Sequence, residues 1–238
     1  MLLRVAPMIM RELQRRAVDG IKRHALTMSI GSPRAEAHIL EEYLWSEESA
    51  ESDALRQTLG AAAPPRWLSK LLDRQLADER RHAQLLRARM AELGAATARP
   101  LPAIARAKLW WIERACAPYA GSFAAGPVVV LLAIAAQFEA TGVRMFGRHL
   151  GVLEEHERAS GASHPTAEVV RAILADERRH AKSCAAALER LVLDEERAAL
   201  AELRERIATV DRSFGVTLAL GFWALTATNA LRDRGRAS

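Results

Sequence analysis

Cysteine and aromatic residues are scarce in this 238-residue chain, which holds two cysteines and 5% Phe, Trp and Tyr. Cys116 and Cys184 lie far apart and form no Cys-x-x-Cys. That excludes a rubredoxin-type or zinc-ribbon module. Such sparing use of cysteine fits a reducing compartment, and a cytoplasmic location is expected. No long alternation of β-branched residues occurs, so no sheet is expected. The opening Met1–Met10 carries an Arg and a Pro in a short apolar stretch, and it lacks the run length and cleavage pattern of a secretory signal. Lysine is rare beside arginine. The net charge of +5 suits nucleic acid or anionic lipid as a partner. The arginines, however, are interspersed with Glu and Asp rather than massed, and no sequence-specific nucleic-acid motif is visible. Nucleic acid is therefore not the expected partner.

Half of the residues are hydrophobic, and Ala, Leu, Arg and Glu dominate. That composition excludes a disordered chain and favours helix. A preliminary helix is expected over 8–28. Gly31-Ser32-Pro33 interrupts it, with Ser32 suited to cap and Pro33 to open the next helix. That helix runs to about 50, with an extension to Leu59 in prospect. Gly60–Pro65 reads as a loop, and a helix follows from Pro65 to about Leu93. The second half repeats the plan. A short helix over 103–117 carries Trp110 and Trp111, and 118–127 is a breaker-rich link. An apolar helix then runs from Val128 to about Gly151, fraying toward Arg158. Pro165 opens another helix, to about Val192. The expected organisation is an N-terminal helical extension (1–32), a central unit (33–193) and a helical tail (194–238). The tail is free of charge from Phe214 to Leu231. That run is about long enough for a marginal membrane span. A fifth helix packed on the core, or placed at a homodimer interface, is the expected use, with membrane association through 214–231 as the alternative.

The octapeptide Leu-Ala-Asp-Glu-Arg-Arg-His-Ala occurs twice, at Leu76–Ala83 and at Leu174–Ala181. Each copy holds a Glu-x-x-His: Glu79 with His82, and Glu177 with His180. Residues at i and i+3 share one helix face, so carboxylate and imidazole can reach the same ion. A surface reading also exists, in which Arg80, Arg81, Arg178 and Arg179 salt-bridge nearby acids. Two further carboxylates are sought on the preceding helices. The third core helix offers one, Glu139, in an otherwise apolar run, where burying it unpaired is costly. Gly142, one turn on, leaves room beside it. The first core helix offers Glu36, Glu41 and Glu42. Glu36 falls in the middle of the apolar stripe set by Ile39, Leu40 and Tyr43, and Glu36–Tyr43 repeats the separation of Glu139 and Phe146. Glu36 is the expected residue, with Glu42, whose spacing to Glu79 is closer to that in the second half, in reserve. Tyr43 and the tryptophans are expected to be packing aromatics. His24, His38, His149, His156 and His164 are expected at the surface, and Cys184 as a small buried residue.

The order Glu, Glu-x-x-His, Glu, Glu-x-x-His over residues 33–192 resembles the ferritin-like superfamily of di-iron carboxylate proteins. The resemblance implies an all-α, ferritin-like four-helix bundle with extra N-terminal and C-terminal helices. It implies two Fe ions (or Mn, or one of each) held by Glu36, Glu79, His82, Glu139, Glu177 and His180. Glu79 and Glu177 would bridge the metals, and Glu36 and Glu139 would be terminal ligands. Asp78 and Asp176 match the family's frequent Asp before the motif Glu, and would support the imidazoles. The implied activity is that of an oxidoreductase acting on O2 or peroxide with an external electron donor. Three variants share this chemistry: oxidation or hydroxylation of a small organic substrate, rubrerythrin-like peroxide reduction, and ferritin-like iron storage. The monooxygenase-like Thr four residues after Glu139 is absent, since Val143 stands there. Within the two turns after Glu139 there is no extra Glu of the kind rubrerythrins carry. From another class comes a metal-free helical protein that binds nucleic acid or membrane.

Overall fold

A computed structural model describes residues 2–50, 64–95 and 100–237. Among them every regular element is helical. The helices are α1 (Leu2–Ser29), α2 (Pro33–Ala50), α3 (Arg66–Glu92), α4 (Ala103–Cys116), α5 (Val128–Ser160), α6 (Pro165–Leu191) and α7 (Arg197–Ala237), with short 3-10 turns at Ala117–Tyr119 and Asp194–Glu196. The expected extension of α2 to Leu59 and most of the Gly60–Pro65 loop lie outside the described residues.

Local chemistry accounts for several boundaries. Gly31, at φ +77°, reverses the chain after α1. Ser32 then caps α2: its Oγ accepts from the Ala35 N–H at 3.3 Å. Asp233, from the far end of α7, accepts from the Ser32 hydroxyl at 2.6 Å and from the Arg34 N–H at 3.0 Å. α5 runs further than the sequence suggests, because Gly147 and Gly151 are tolerated within it. It stops only at Gly161, whose φ of +71° is the left-handed cap position.

Helices α2, α3, α5 and α6 surround a common interior. The side-chain pairings run antiparallel across α3 and α6: Arg89 meets Thr166, His82 meets Asp176, and Gln75 meets Cys184. α1 and α7 lie side by side and parallel on the outside, through Gln14 to the Arg212 carbonyl and Trp223 to His24. The tail is therefore packed on the core as a single helix, with α4 against its first half.

The interior holds two apolar clusters. One gathers Leu68, Ile112, Val129, Leu132, Leu188 and Leu203. The other gathers Ile39, Leu40, Tyr43, Leu86, Phe146 and Ile173. Each such side chain fully buried contributes about 1.5–3 kcal/mol. Between the clusters, three of the four core helices change character. α3 passes from Leu68 through Glu79 and His82 to Leu86, α5 from Leu132 through Glu139 to Phe146, and α6 from Ile173 through Glu177 and His180 to Leu188. A buried polar layer thus separates two apolar ones.

Candidate metal centre

Six side chains meet in that layer: Glu47, Glu79, His82, Glu139, Glu177 and His180, each at most 8% exposed. They form two overlapping groups, one of Glu47, Glu79, His82 and Glu177 and one of Glu79, Glu139, Glu177 and His180, with ligand atoms in each within 4.8 Å of one another. Glu79 and Glu177 belong to both. Glu79 presents Oε2 to His82 Nδ1 at 3.5 Å and Oε1 to His180 Nδ1 at 3.1 Å. Glu177 Oε1 lies 3.9 Å from the first imidazole nitrogen and 3.8 Å from the second. Glu47 Oε2 is 3.1 Å from His82 Nδ1, and Glu139 Oε2 is 3.6 Å from His180 Nδ1. The arrangement is therefore pseudo-twofold: two carboxylates in the middle, and one carboxylate and one imidazole on either side.

Five of the six expected residues come together here, and Glu36 does not. It lies on the same stripe of α2 as Glu47, eleven residues earlier, which is roughly 16 Å along the axis. There it accepts from Arg89 Nη2 at 2.9 Å and from the Thr166 hydroxyl, tying α2 to α3 and α6. Glu42 is not among the grouped residues either. The first-helix position belongs to Glu47, which has the inward face that singled out Glu36 but stands at the level of the two motifs. Two of the histidines expected at the surface are buried. His149 Nδ1 pairs with the Tyr43 hydroxyl at 3.1 Å, and His38 lies 3.9 Å from Glu41. Cys184 is buried, as expected.

Each aspartate serves the histidine of the other motif. His82 Nε2 lies 3.1 Å from Asp176 Oδ2, and His180 Nε2 lies 3.1 Å from Asp78 Oδ2. Both ring nitrogens of each imidazole are thereby assigned a direction: Nε2 outward to an aspartate, Nδ1 inward to the carboxylates. A carboxylate on the outer nitrogen fixes the tautomer that leaves the inner lone pair available to a cation. The arginines close the pattern. Arg81 bridges Asp78 and Asp176, and Arg179 does the same from the other side. The repeated octapeptide thus has a role at nearly every polar position, and the surface reading of its arginines holds for Arg81 and Arg179 alongside the inward pairing of Glu and His.

The electrostatics suit a cation. Four carboxylates share one buried volume, so they cannot all ionise unaided. Burial, then the Glu139, Glu47 and Glu79 carboxylates, push Glu177 up to about 10. Glu47 is pushed well up by burial and its hydrogen bond with Glu79. Burial opposes the His180 imidazolium, but Glu139, Glu79 and Asp78 outweigh it and carry the group up to about 11. His82 moves the same way, with Glu79 and Asp176 outweighing burial. Two inward atoms, Glu139 Oε2 and His180 Nδ1, are buried without a hydrogen-bond partner. In the metal-free fold the His180 imidazolium charge faces the Glu79 and Glu139 carboxylates and offsets part of the cost of burying them, and a cation bound at both atoms would replace the proton. The donor set of four carboxylates and two imidazoles matches hard or borderline divalent metals such as Fe and Mn.

Room for the central carboxylate depends on Gly142. A Cβ at that position would stand 2.1 Å from Glu177 Oε2 and 3.2 Å from its Cδ. The twofold pattern breaks around the ligands. Gln75, four residues before Glu79, donates from Nε2 to Glu139 Oε1, and its own Oε1 faces Cys184 Sγ at 3.7 Å. The equivalents in the other motif are Ile173 and Leu86, both fully buried. One half of the site is therefore flanked by an amide and a thiol, the other by hydrocarbon. Burial pushes the Cys184 thiol up to about 12, which keeps it protonated.

No protein-family model, curated protein or solved structure matches this chain.

Proposed function

We propose that the chain is a ferritin-like di-metal protein, a non-haem di-iron oxidoreductase acting on O2 or peroxide, with an external electron donor and a small-molecule substrate. The observation that carries this reading is the buried twofold cluster of four carboxylates and two imidazoles, with Glu139 Oε2 and His180 Nδ1 aimed into it without a hydrogen bond. Glu47 and His82 would hold one metal, Glu139 and His180 the other, and Glu79 and Glu177 both. Two ions of Fe (or Mn) held there would supply the two electrons that reduction of O2 or peroxide requires.

The protein's own contribution is positional. The apolar clusters on either side exclude water from the polar layer. Asp78 and Asp176 orient the imidazoles, and Gln75 holds Glu139 by one oxygen, leaving Oε2 to face the site. The Gln75–Cys184 side offers hydrogen-bonding groups and the Ile173–Leu86 side does not. A polar substrate group is therefore expected on the former. The test is oxygen uptake by protein loaded anaerobically with Fe(II), with Glu79→Ala/Glu177→Ala as the comparison. Uptake above that of free Fe(II), lost in the double variant, supports the reading. Uptake no faster than free Fe(II) removes it.

A further inference from the structure

α7 carries a surface that the metal centre does not explain. Between Arg212 and Arg232 the helix has no charged residue. Its inner side is well used: Ala219, Thr226 and Ala230 are buried against the body of the protein. Its outer side is exposed and apolar. Val216, Leu220, Trp223 and Leu231 fall within one sector of about 80° at 100° per residue, and they are 36%, 49%, 36% and 64% exposed. Leu225, 46% exposed, stands on the other flank of the exposed arc, about 120° beyond Leu231 and across Ala224, Thr217 and Thr228. Among the described residues two stretches are apolar enough to cross a membrane by length and composition, and the one in α5 carries core residues such as Val129, Leu132 and Phe146. The one in α7 has 17% of its window buried, at a mean hydropathy of 1.4. The same side of α7 continues at Thr209, seven residues before Val216, where a groove is lined by Trp111 and Arg114 of α4. Trp110 and Trp111 there are each about half exposed. Monomeric soluble proteins rarely leave so long an apolar strip open.

Charge decides the occupant. The strip ends in Arg212 on one side and in Arg232, Arg234 and Arg236 on the other. The acids beside it are already engaged: Asp211 with Lys108, Glu205 with Arg212 and Arg11, and Asp233 with Arg34 and the Ser32 hydroxyl, so the net positive end of the strip is the one at Arg232, Arg234 and Arg236. A second copy docked antiparallel on this strip would set arginines against arginines, with the nearby acids already held by partners of their own chain. An anionic lipid surface answers both features, since it takes apolar side chains and tryptophans at its interface and cations at its headgroups. Insertion across a bilayer is a different matter. It would strip α7 from α1 and α2, breaking the Gln14, His24 and Ser32 contacts. We propose that the outer strip of α7, with Trp110 and Trp111 of α4, seats the protein flat on an anionic bilayer while the inner face of α7 stays packed. The proposal does not depend on the metal centre and holds for the metal-free protein.

The test is co-sedimentation with vesicles of phosphatidylcholine and phosphatidylglycerol in equal parts, against pure phosphatidylcholine. The metal-free protein is expected to sediment with the anionic vesicles, less so as salt rises, and weakly with the neutral ones. Leu220→Glu/Leu231→Glu alters two exposed positions of the strip. It should keep its circular dichroism and lose about tenfold or more in vesicle affinity. A second readout needs no variant: tryptophan emission should be quenched by lipids brominated near the headgroup. Absence of both sedimentation and quenching at low salt overturns the proposal. So does a wild-type dimer in sedimentation equilibrium that the double variant dissociates, which would give the strip to a second copy.

Discussion

Replacing Gly142 with alanine puts one methyl group into the middle of the polar layer. Its Cβ would sit 2.1 Å from Glu177 Oε2, on a side chain that is 5% exposed and hemmed in by both imidazoles. The carboxylate must retreat by roughly 1 Å or more to reach ordinary contact distance. Overpacking of this kind costs about 1–3 kcal/mol. Alanine returns up to about 1 kcal/mol of helix propensity. Folding stability should therefore change by between roughly zero and 2 kcal/mol, downward. Metal binding should suffer more, because Glu177 faces both histidines. An affinity loss of at least the ~10–100-fold that follows removal of a residue supporting a ligand is expected. Gly147, five residues on in the same helix, has open space where a methyl group would stand, with nothing within 4 Å, and serves as the control. Gly147→Ala should gain stability by up to about 1 kcal/mol and leave metal binding intact. The assay is a metal titration followed calorimetrically, with thermal unfolding of the metal-free proteins alongside. Wild-type stoichiometry and affinity in Gly142→Ala would refute the reasoning.

Four further outcomes are expected. Glu47→Ala should lose metal, whereas Glu36→Gln should retain it and lose about 1–3 kcal/mol of stability, the worth of a hydrogen bond to a charged group, since Arg89 keeps Glu92 and Thr166 as partners; metal content and urea unfolding separate the two. Asp176→Asn should weaken binding at the His82 side and Asp78→Asn at the His180 side, each by about 10–100-fold, seen as loss of one of two steps in a Co(II) titration. Stability of the metal-free protein should fall as pH rises from about 6.5 to about 10, since Glu177 and His180 hold protons in the fold that the unfolded chain has released; the slope is at most about 1.4 kcal/mol per pH unit for each of the two protons, read from chemical unfolding, and saturating metal should flatten it. Burial holds His149 down to about 3, so that group alone takes stability away as pH falls from about 6.5 toward 3, the opposite sign, and acid unfolding of His149→Gln should show a shallower loss.

The sequence carried the all-helical fold and most of the centre because both are local properties. Two identical octapeptides place Glu79, His82, Glu177 and His180 on helix faces whatever the rest of the chain does. Glu139 was legible because it stands alone in an apolar helix, and Gly142 because it lies one turn away. Glu47 was not legible. Periodicity fixes the side of α2 that faces inward, and Glu36 and Glu47, eleven residues apart, share that side to within about 20°. What separates them is height, and height is set by how α2 pairs with α3 across the intervening connection, which no periodicity reports. The match of Glu36–Tyr43 to Glu139–Phe146 misled for the same reason: Tyr43 and Phe146 touch, with ring centroids 4.8 Å apart, rather than occupying equivalent places. The crossed pairing of Asp78 with His180 and of Asp176 with His82 likewise exists only once the two motif helices face each other. His149 shows the same limit in reverse, since a lone histidine gives no hint in sequence of the buried tyrosine that receives it.

The most direct test of the central claim is the metal content of the purified protein after anaerobic loading with Fe(II) or Mn(II), measured by mass spectrometry. The account predicts two ions per chain, lost in Glu79→Ala/Glu177→Ala and retained in Glu36→Gln. A folded wild-type protein that holds no metal after loading would contradict it.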